Sequence, residues 1–132
     1  MNRFEGKNIL VTGGSSGIGA AAAIAFAREG ARVAITGRDL EGLARVKAEL
    51  GPDALALVSE AGDVAAQTAL VAELQAQMGV IDGVFINAGV AKFGPLAQID
   101  DALWDSSFDT NVKGPYFLIQ RLAREGRGVV VI

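Results

Sequence analysis

Hydrophobic positions along this chain follow two alternating rhythms. Short, nearly unbroken apolar runs occupy residues 8–12 (N-I-L-V-T), 32–36 (R-V-A-I-T), 54–58 (A-L-A-L-V), 83–87 (G-V-F-I-N) and 128–132 (G-V-V-V-I). Runs of that length without a polar alternate predict strands buried on both faces. Longer segments with helical spacing lie between them. Residues 18–29 are Ala-rich, carry Ile24 and Phe26, and end at the stop signal Gly30. Residues 40–50 place Leu40, Leu43, Val46, Lys47 and Leu50 three or four apart and end at Gly51-Pro52. Residues 65–78 put Leu70, Val71, Leu74 and Met78 on one side, and Gly79 closes the segment. Residues 101–125 predict one or two helices, with Phe108, Val112, Phe117, Ile119 and Leu122 available for burial. Pro115, inside that stretch, is expected to bend or break it.

Apolar strands alternating with helices imply a parallel sheet covered on both faces. Right-handed crossovers then favour a doubly wound, three-layer α/β/α arrangement of about five strands. The chain shows no internal repeat, low-complexity tract or linker, so residues 1–132 are expected to form a single domain.

The most informative segment is residues 12–19, T-G-G-S-S-G-I-G, between the first predicted strand and the first helix. The first amides of a helix have no internal partners, and the helix dipole adds partial positive charge there. A pyrophosphate can use both if no side chain blocks it. Gly13 and Gly14 allow the tight turn, Gly17 permits close backbone approach, and Gly19 lets the helix pack on the sheet. This is the Rossmann-type strand–turn–helix context, although the spacing is G-x-x-x-G-x-G and a plain chain reversal would use similar residues. A phosphate loop of nucleoside triphosphatases would need a lysine where Ile18 stands.

In such folds the end of the second strand selects between NAD and NADP. There the sequence has Gly37-Arg38-Asp39, with Arg38 about twenty residues after the turn. An arginine can grip a 2′-phosphate bidentately. A solvated arginine paired with Asp39 is the bland alternative. NADP(H) is therefore expected ahead of NAD(H).

Composition narrows the remaining chemistry. Among 132 residues there is no Cys and no His, which removes disulfides, thiolate nucleophiles, the usual general base and the common metal ligands; no metal site is expected. A net charge of −3 argues against nucleic acid or an anionic membrane surface. No apolar run approaches a membrane span, and the first residues lack a signal-peptide core, so a cytoplasmic protein is expected.

These residues together resemble the short-chain dehydrogenase/reductase family. T-G-G-S-S-G-I-G is similar to its cofactor motif, Asn87-Ala88-Gly89 to its N-A-G motif, Gly62-Asp63-Val64 to its D-V pair, and Asn111 in N-V-K-G to its helix asparagine. The order and spacing of all four agree over the whole chain. The resemblance implies an oxidoreductase that moves hydride between NADP(H) and a carbonyl or alcohol. It implies that the Ile18 amide touches the pyrophosphate, with Ser15 and Ser16 in the same turn among the cofactor contacts. Asp63 would bond the adenine amino group, with the Val64 amide nearby. Asn87, Ala88 and Gly89 would pass under the adenosine ribose, and Asn111 would hold a water of the proton relay. The bland readings are a helix cap for Asp63, a turn for Asn87-Ala88-Gly89 and a polar helix residue for Asn111.

The family's chemistry also needs a Ser after the fifth strand and a later Tyr-x-x-x-Lys. Here Tyr116 is followed four residues later by Gln120, and Ser106 and Ser107 precede the fifth strand. The chain stops at Ile132, so it reads as the cofactor-binding part, truncated after that strand and expected to reduce no carbonyl alone. The stretch from Asn111 to Val129 looks about one helical turn short of the family pattern. The alternative is a catalytically inactive, engineered or fold-study nucleotide-binding module, whose sheet could also reorganise to a flavodoxin-like order. A receiver-like domain would need acids at the first strand tip, where Thr12-Gly13 stands. The apolar fifth strand, left as an edge, or the helix before it is expected to promote self-association.

Overall fold

The structure, a computed structural model, describes residues 2–123 and 128–132. Its elements are β1 (Asn8–Val11), α1 (Gly17–Arg28), β2 (Arg32–Gly37), α2 (Leu40–Leu50), β3 (Leu55–Val58), α3 (Val64–Met78) and β4 (Gly83–Phe85). A 3-10 turn (Leu96–Gln98), α4 (Asp101–Phe108), a π turn (Asp109–Lys113), α5 (Gly114–Ala123) and β5 (Val130–Val131) follow. The end of the predicted 101–125 helical segment lies outside the described residues.

All five strands are parallel, in the order β3-β2-β1-β4-β5. This is the Rossmann order, and the flavodoxin-like rearrangement is not adopted. The strand pleat divides the core in two. Ile9, Val11, Val33 and Ile35 pack on one face with Ala23 of α1 and Leu43 and Val46 of α2. Leu10, Ala34 and Val84 pack on the other with Leu70 and Leu74 of α3 and Leu118 and Leu122 of α5. Strands with helices on both sides have no polar face to spare, which is why their sequences read as continuous apolar runs.

The last helical segment differs from expectation in three ways. Pro115 does not break it: α4, the π turn and α5 run on without a gap. A proline has no N–H for the carbonyl four residues back, and its ring needs room there. The π turn supplies that room, with the Gly114 N–H bonding the Asp109 carbonyl five residues earlier. Phe108 and Val112 are exposed rather than buried, whereas Leu118 is fully buried, the wide turn after Phe108 shifting the phase of α5 against α4. Trp104 and Phe108 stack on the solvent side with centroids 4.6 Å apart. Among the described residues no helix is long and apolar enough to cross a membrane.

Candidate active site: a cleft at the strand ends

A cleft of about 410 Å³ opens at the C-terminal ends of the strands. It is lined by Thr12 and Gly13 after β1, Thr36–Asp39 at the end of β2, Ser59–Ala61 after β3, and Asn87–Val90 after β4. The strand order reverses between β1 and β4, and ligands of open α/β sheets settle in the crevice at that reversal. The volume lies within the usual range for small-molecule sites.

The glycine turn forms the centre. Gly13 and Gly17 sit at φ +65° and +58°, the left-handed region that favours glycine. A Cβ on Gly19 would lie 2.1 Å from the Gly13 carbonyl oxygen, and one on Gly14 would lie 2.7 Å from Ile35. Those two glycines let α1 and the turn close on the sheet. At Gly17, by contrast, a Cβ would meet nothing within 4 Å, so the backbone there faces open space. Ser16 is the N-cap residue of α1 in an extended conformation, yet its side chain makes no cap hydrogen bond. The amides that open α1 thus lack the side-chain oxygen that normally satisfies them. Ser15 and Ser16 line the cleft beside them.

Thr12 ties this turn to the loop after β4. Its hydroxyl accepts from the Asn87 and Ala88 amides at 3.0 and 3.1 Å and donates to the Phe85 carbonyl at 3.4 Å. The Asn87 side-chain amide donates to the Gly13 carbonyl at 3.1 Å. Sequence reasoning gave Thr12 no role. The available signal was a hydroxyl at the end of an otherwise apolar strand, where burial demands partners. These bonds also end the fourth strand at Phe85, two residues before its expected close at Asn87.

Asn111 lies on the π turn. Its Oδ1 accepts from the Val90 amide and its Nδ2 donates to the Val90 carbonyl, both at 2.8 Å. It anchors the segment following Asn87-Ala88-Gly89, and each end of its amide keeps capacity for one more partner.

Two acids cap helices, which for Asp63 is the bland reading given above. Asp63 caps α3, its Oδ1 accepting from the Ala66 amide at 3.1 Å, and neither Asp63 nor Val64 is among the cleft-lining residues. Three residues earlier, Glu60 and Ala61 form the wall at the end of β3. Asp39 caps α2 through the Glu41 amide rather than pairing with Arg38. Arg38 meets Glu60 instead, with Nη1 3.7 Å from Oε2.

The cleft suits a dinucleotide on two counts. The open amides and bare glycines make an anion cradle, and the Ser59 hydroxyl at the adjoining wall is buried without a hydrogen-bond partner. A buried orphan hydroxyl is costly unless a ligand completes it.

Known proteins show the same framework. A sorbitol dehydrogenase of Cereibacter sphaeroides is 40% identical over 134 residues, covering 98% of this chain and 52% of the relative. A D-threitol dehydrogenase of Mycolicibacterium smegmatis is 36% identical, with 98% and 52% covered. The crystal structure of a metagenomic short-chain oxidoreductase in complex with NADP superposes with a TM-score of 0.89 at 33% identity, covering 97% of this chain and 61% of that one. The chain spans about half the length of the curated relatives it matches. The family model for short chain dehydrogenases matches residues 7–132, and with the β3-β2-β1-β4-β5 sheet and the glycine turn in place, the chain belongs to that family.

Proposed function

We propose that this chain is the dinucleotide-holding part of an oxidoreductase, and that its cleft takes NADP(H) ahead of NAD(H). The observation that carries this reading is the uncapped start of α1, opening beside Gly13, Ser15 and Ser16 onto a cleft with Arg38 at its mouth. In this reading the amides of Gly17, Ile18 and Gly19 hold the pyrophosphate, and Arg38 takes the 2′-phosphate. The adenosine lies along the β2 and β3 ends, where Ser59 offers its orphan hydroxyl. The wall of Asn87, Ala88 and Gly89 supports the ribose side. Bound there, the nicotinamide supplies or accepts a hydride for a carbonyl or alcohol, which is the reaction proposed for the whole protein.

The remaining capacity of the Asn111 amide suits it to hold a water of the proton relay, as the resemblance implies. The observed cap at Asp63 favours the structural reading of that residue. The catalytic Ser and Tyr-x-x-x-Lys of the family are not among these residues, so the chain alone is expected to bind without turnover.

Calorimetric titration with NADP⁺, NAD⁺ and ATP tests the main reading. NADP⁺ should bind tightest, and Arg38→Asp should weaken it by about tenfold or more while sparing NAD⁺. A folded chain giving no heat with either nicotinamide cofactor overturns the reading.

A further inference from the structure

The partner of Arg38 is an acid from a neighbouring strand, and the sheet register puts it there. Gly37 of β2 pairs with Val58 of β3, and the Ser59 amide continues the ladder by donating to the Gly37 carbonyl at 3.1 Å. The residues just beyond, Arg38 and Glu60, therefore emerge side by side at the mouth of the cleft. The Glu60 backbone is held firmly: its carbonyl accepts from the Gln67 side chain at 2.8 Å and from the Asp63 amide at 3.1 Å. Its carboxylate is not held in that way. The Glu60 and Arg38 side chains are 49% and 68% exposed, and their 3.7 Å separation is longer than a hydrogen bond. Asp39 does not compete for the guanidinium, because its carboxylate is committed to the α2 cap.

We propose that Glu60 is a specificity-determining residue of this cleft: it holds Arg38 when no 2′-phosphate is present and must release it when one arrives. This inference rests on the dinucleotide reading above. A 2′-phosphate and the Glu60 carboxylate want the same fork of N–H donors. A dinucleotide without that phosphate has no claim on Arg38 and leaves the pair intact. Glu60 thus weakens NADP⁺ binding selectively and narrows the preference Arg38 creates. A loose, exposed ion pair costs little to break, so the effect is modest and screened by salt.

Calorimetry on the intact chain with Glu60→Gln tests this, since the amide keeps the size and removes the charge. NADP⁺ should bind about threefold to fivefold more tightly. NAD⁺ should stay within about twofold, and the NADP⁺ gain should shrink near 0.5 M salt, about five times the concentration at which the Debye length is ~10 Å. In an Arg38→Gln background the Glu60→Gln gain should vanish, because there is no guanidinium left to release. An unchanged NADP⁺ affinity overturns the proposal, as does a gain that persists without Arg38. So does a loss of NAD⁺ affinity, which would make Glu60 a direct ligand of the adenosine. Circular dichroism and a melting curve confirm that each variant is folded. If the unsubstituted chain binds neither cofactor, the dinucleotide reading fails along with the proposal; if it binds both and Glu60→Gln changes nothing, only the proposal fails.

Discussion

Two kinds of helix start occur in this chain. Asp39, Asp63 and Asp100 close α2, α3 and α4, each side chain accepting from an amide of the first turn. Ser16 occupies the same position on α1 and makes no such bond. Serine is as good a capping residue as aspartate, so residue type does not explain the difference. The C-terminal end of α1 is closed: the Phe4 amide donates to the Glu29 carbonyl at 2.9 Å, and Arg3 pairs with the Glu29 carboxylate at 3.1 Å. The start of α1 has been left open where those of α2, α3 and α4 are sealed, at the cost of about 1 kcal/mol that a cap would have contributed. An open end of this kind is what an anionic ligand needs, and its cap residue Ser16 lines the cleft.

The comparison can be broken most severely at Gly19. Gly19→Ala places a Cβ against the Gly13 carbonyl, forcing the turn off α1. It should cost about 3 kcal/mol of stability and abolish cofactor binding, read by denaturant titration and calorimetry. Ser16→Asp puts a carboxylate beside the open amides. It should weaken NADP⁺ about tenfold, since its carboxylate competes for the same amides, while the melting temperature rises. A tighter complex would show that the phosphates lie elsewhere. Asp63→Ala and Asp100→Ala remove sealed ends and should each lose about 1 kcal/mol in denaturant titration. Both should keep cofactor affinity within about twofold; a selective loss in Asp63→Ala would restore that residue as an adenine contact.

The smallest effect is expected at the far end of α1. The hydrogen bonds from Arg3 hold the Glu29 carboxyl below its ordinary value of 4.5. A lowered folded value means a stabilising contribution present above that ordinary value and lost as pH falls through the lowered one. Glu29→Gln should therefore be slightly less stable than the unsubstituted chain at neutral pH. The two should converge in acid, as followed by melting temperature against pH.

The glycine turn could be read from sequence because its residues are demanded by local geometry. Gly13 and Gly17 need left-handed backbone, and Gly14 and Gly19 touch Ile35 and Gly13. The layered parallel sheet was legible for a similar reason, since apolar strands alternating with helices leave few packings, while its strand order stayed open between the Rossmann and flavodoxin-like arrangements until the fold decided it. What failed to show were relations between distant segments. Asp63 and Glu60 both stand near the end of the third strand, and only the fold shows that one caps a helix while the other walls the cleft. The pairing of Arg38 with Glu60 depends on strand register, which has no local signature. The π turn was invisible because a helical repeat assumes constant pitch, and so Val112, inside the turn, was counted as available for burial.

That wide turn reaches both rims of the cleft. A Cβ on Gly62 would lie 2.9 Å from the Thr110 hydroxyl, and one on Gly114 would lie 1.7 Å from the Ala61 carbonyl oxygen, while Asn111 grips Val90 on the other side. The turn holds one more residue than an α-helix would. Removing that residue would re-phase everything beyond it by about 100°. Either Leu118 would leave the core or Asn111 would let go of Val90. The spacing of the two walls is in this sense a matter of counting residues: a single deletion between Asp109 and Lys113 would leave the sheet standing but its gap unset.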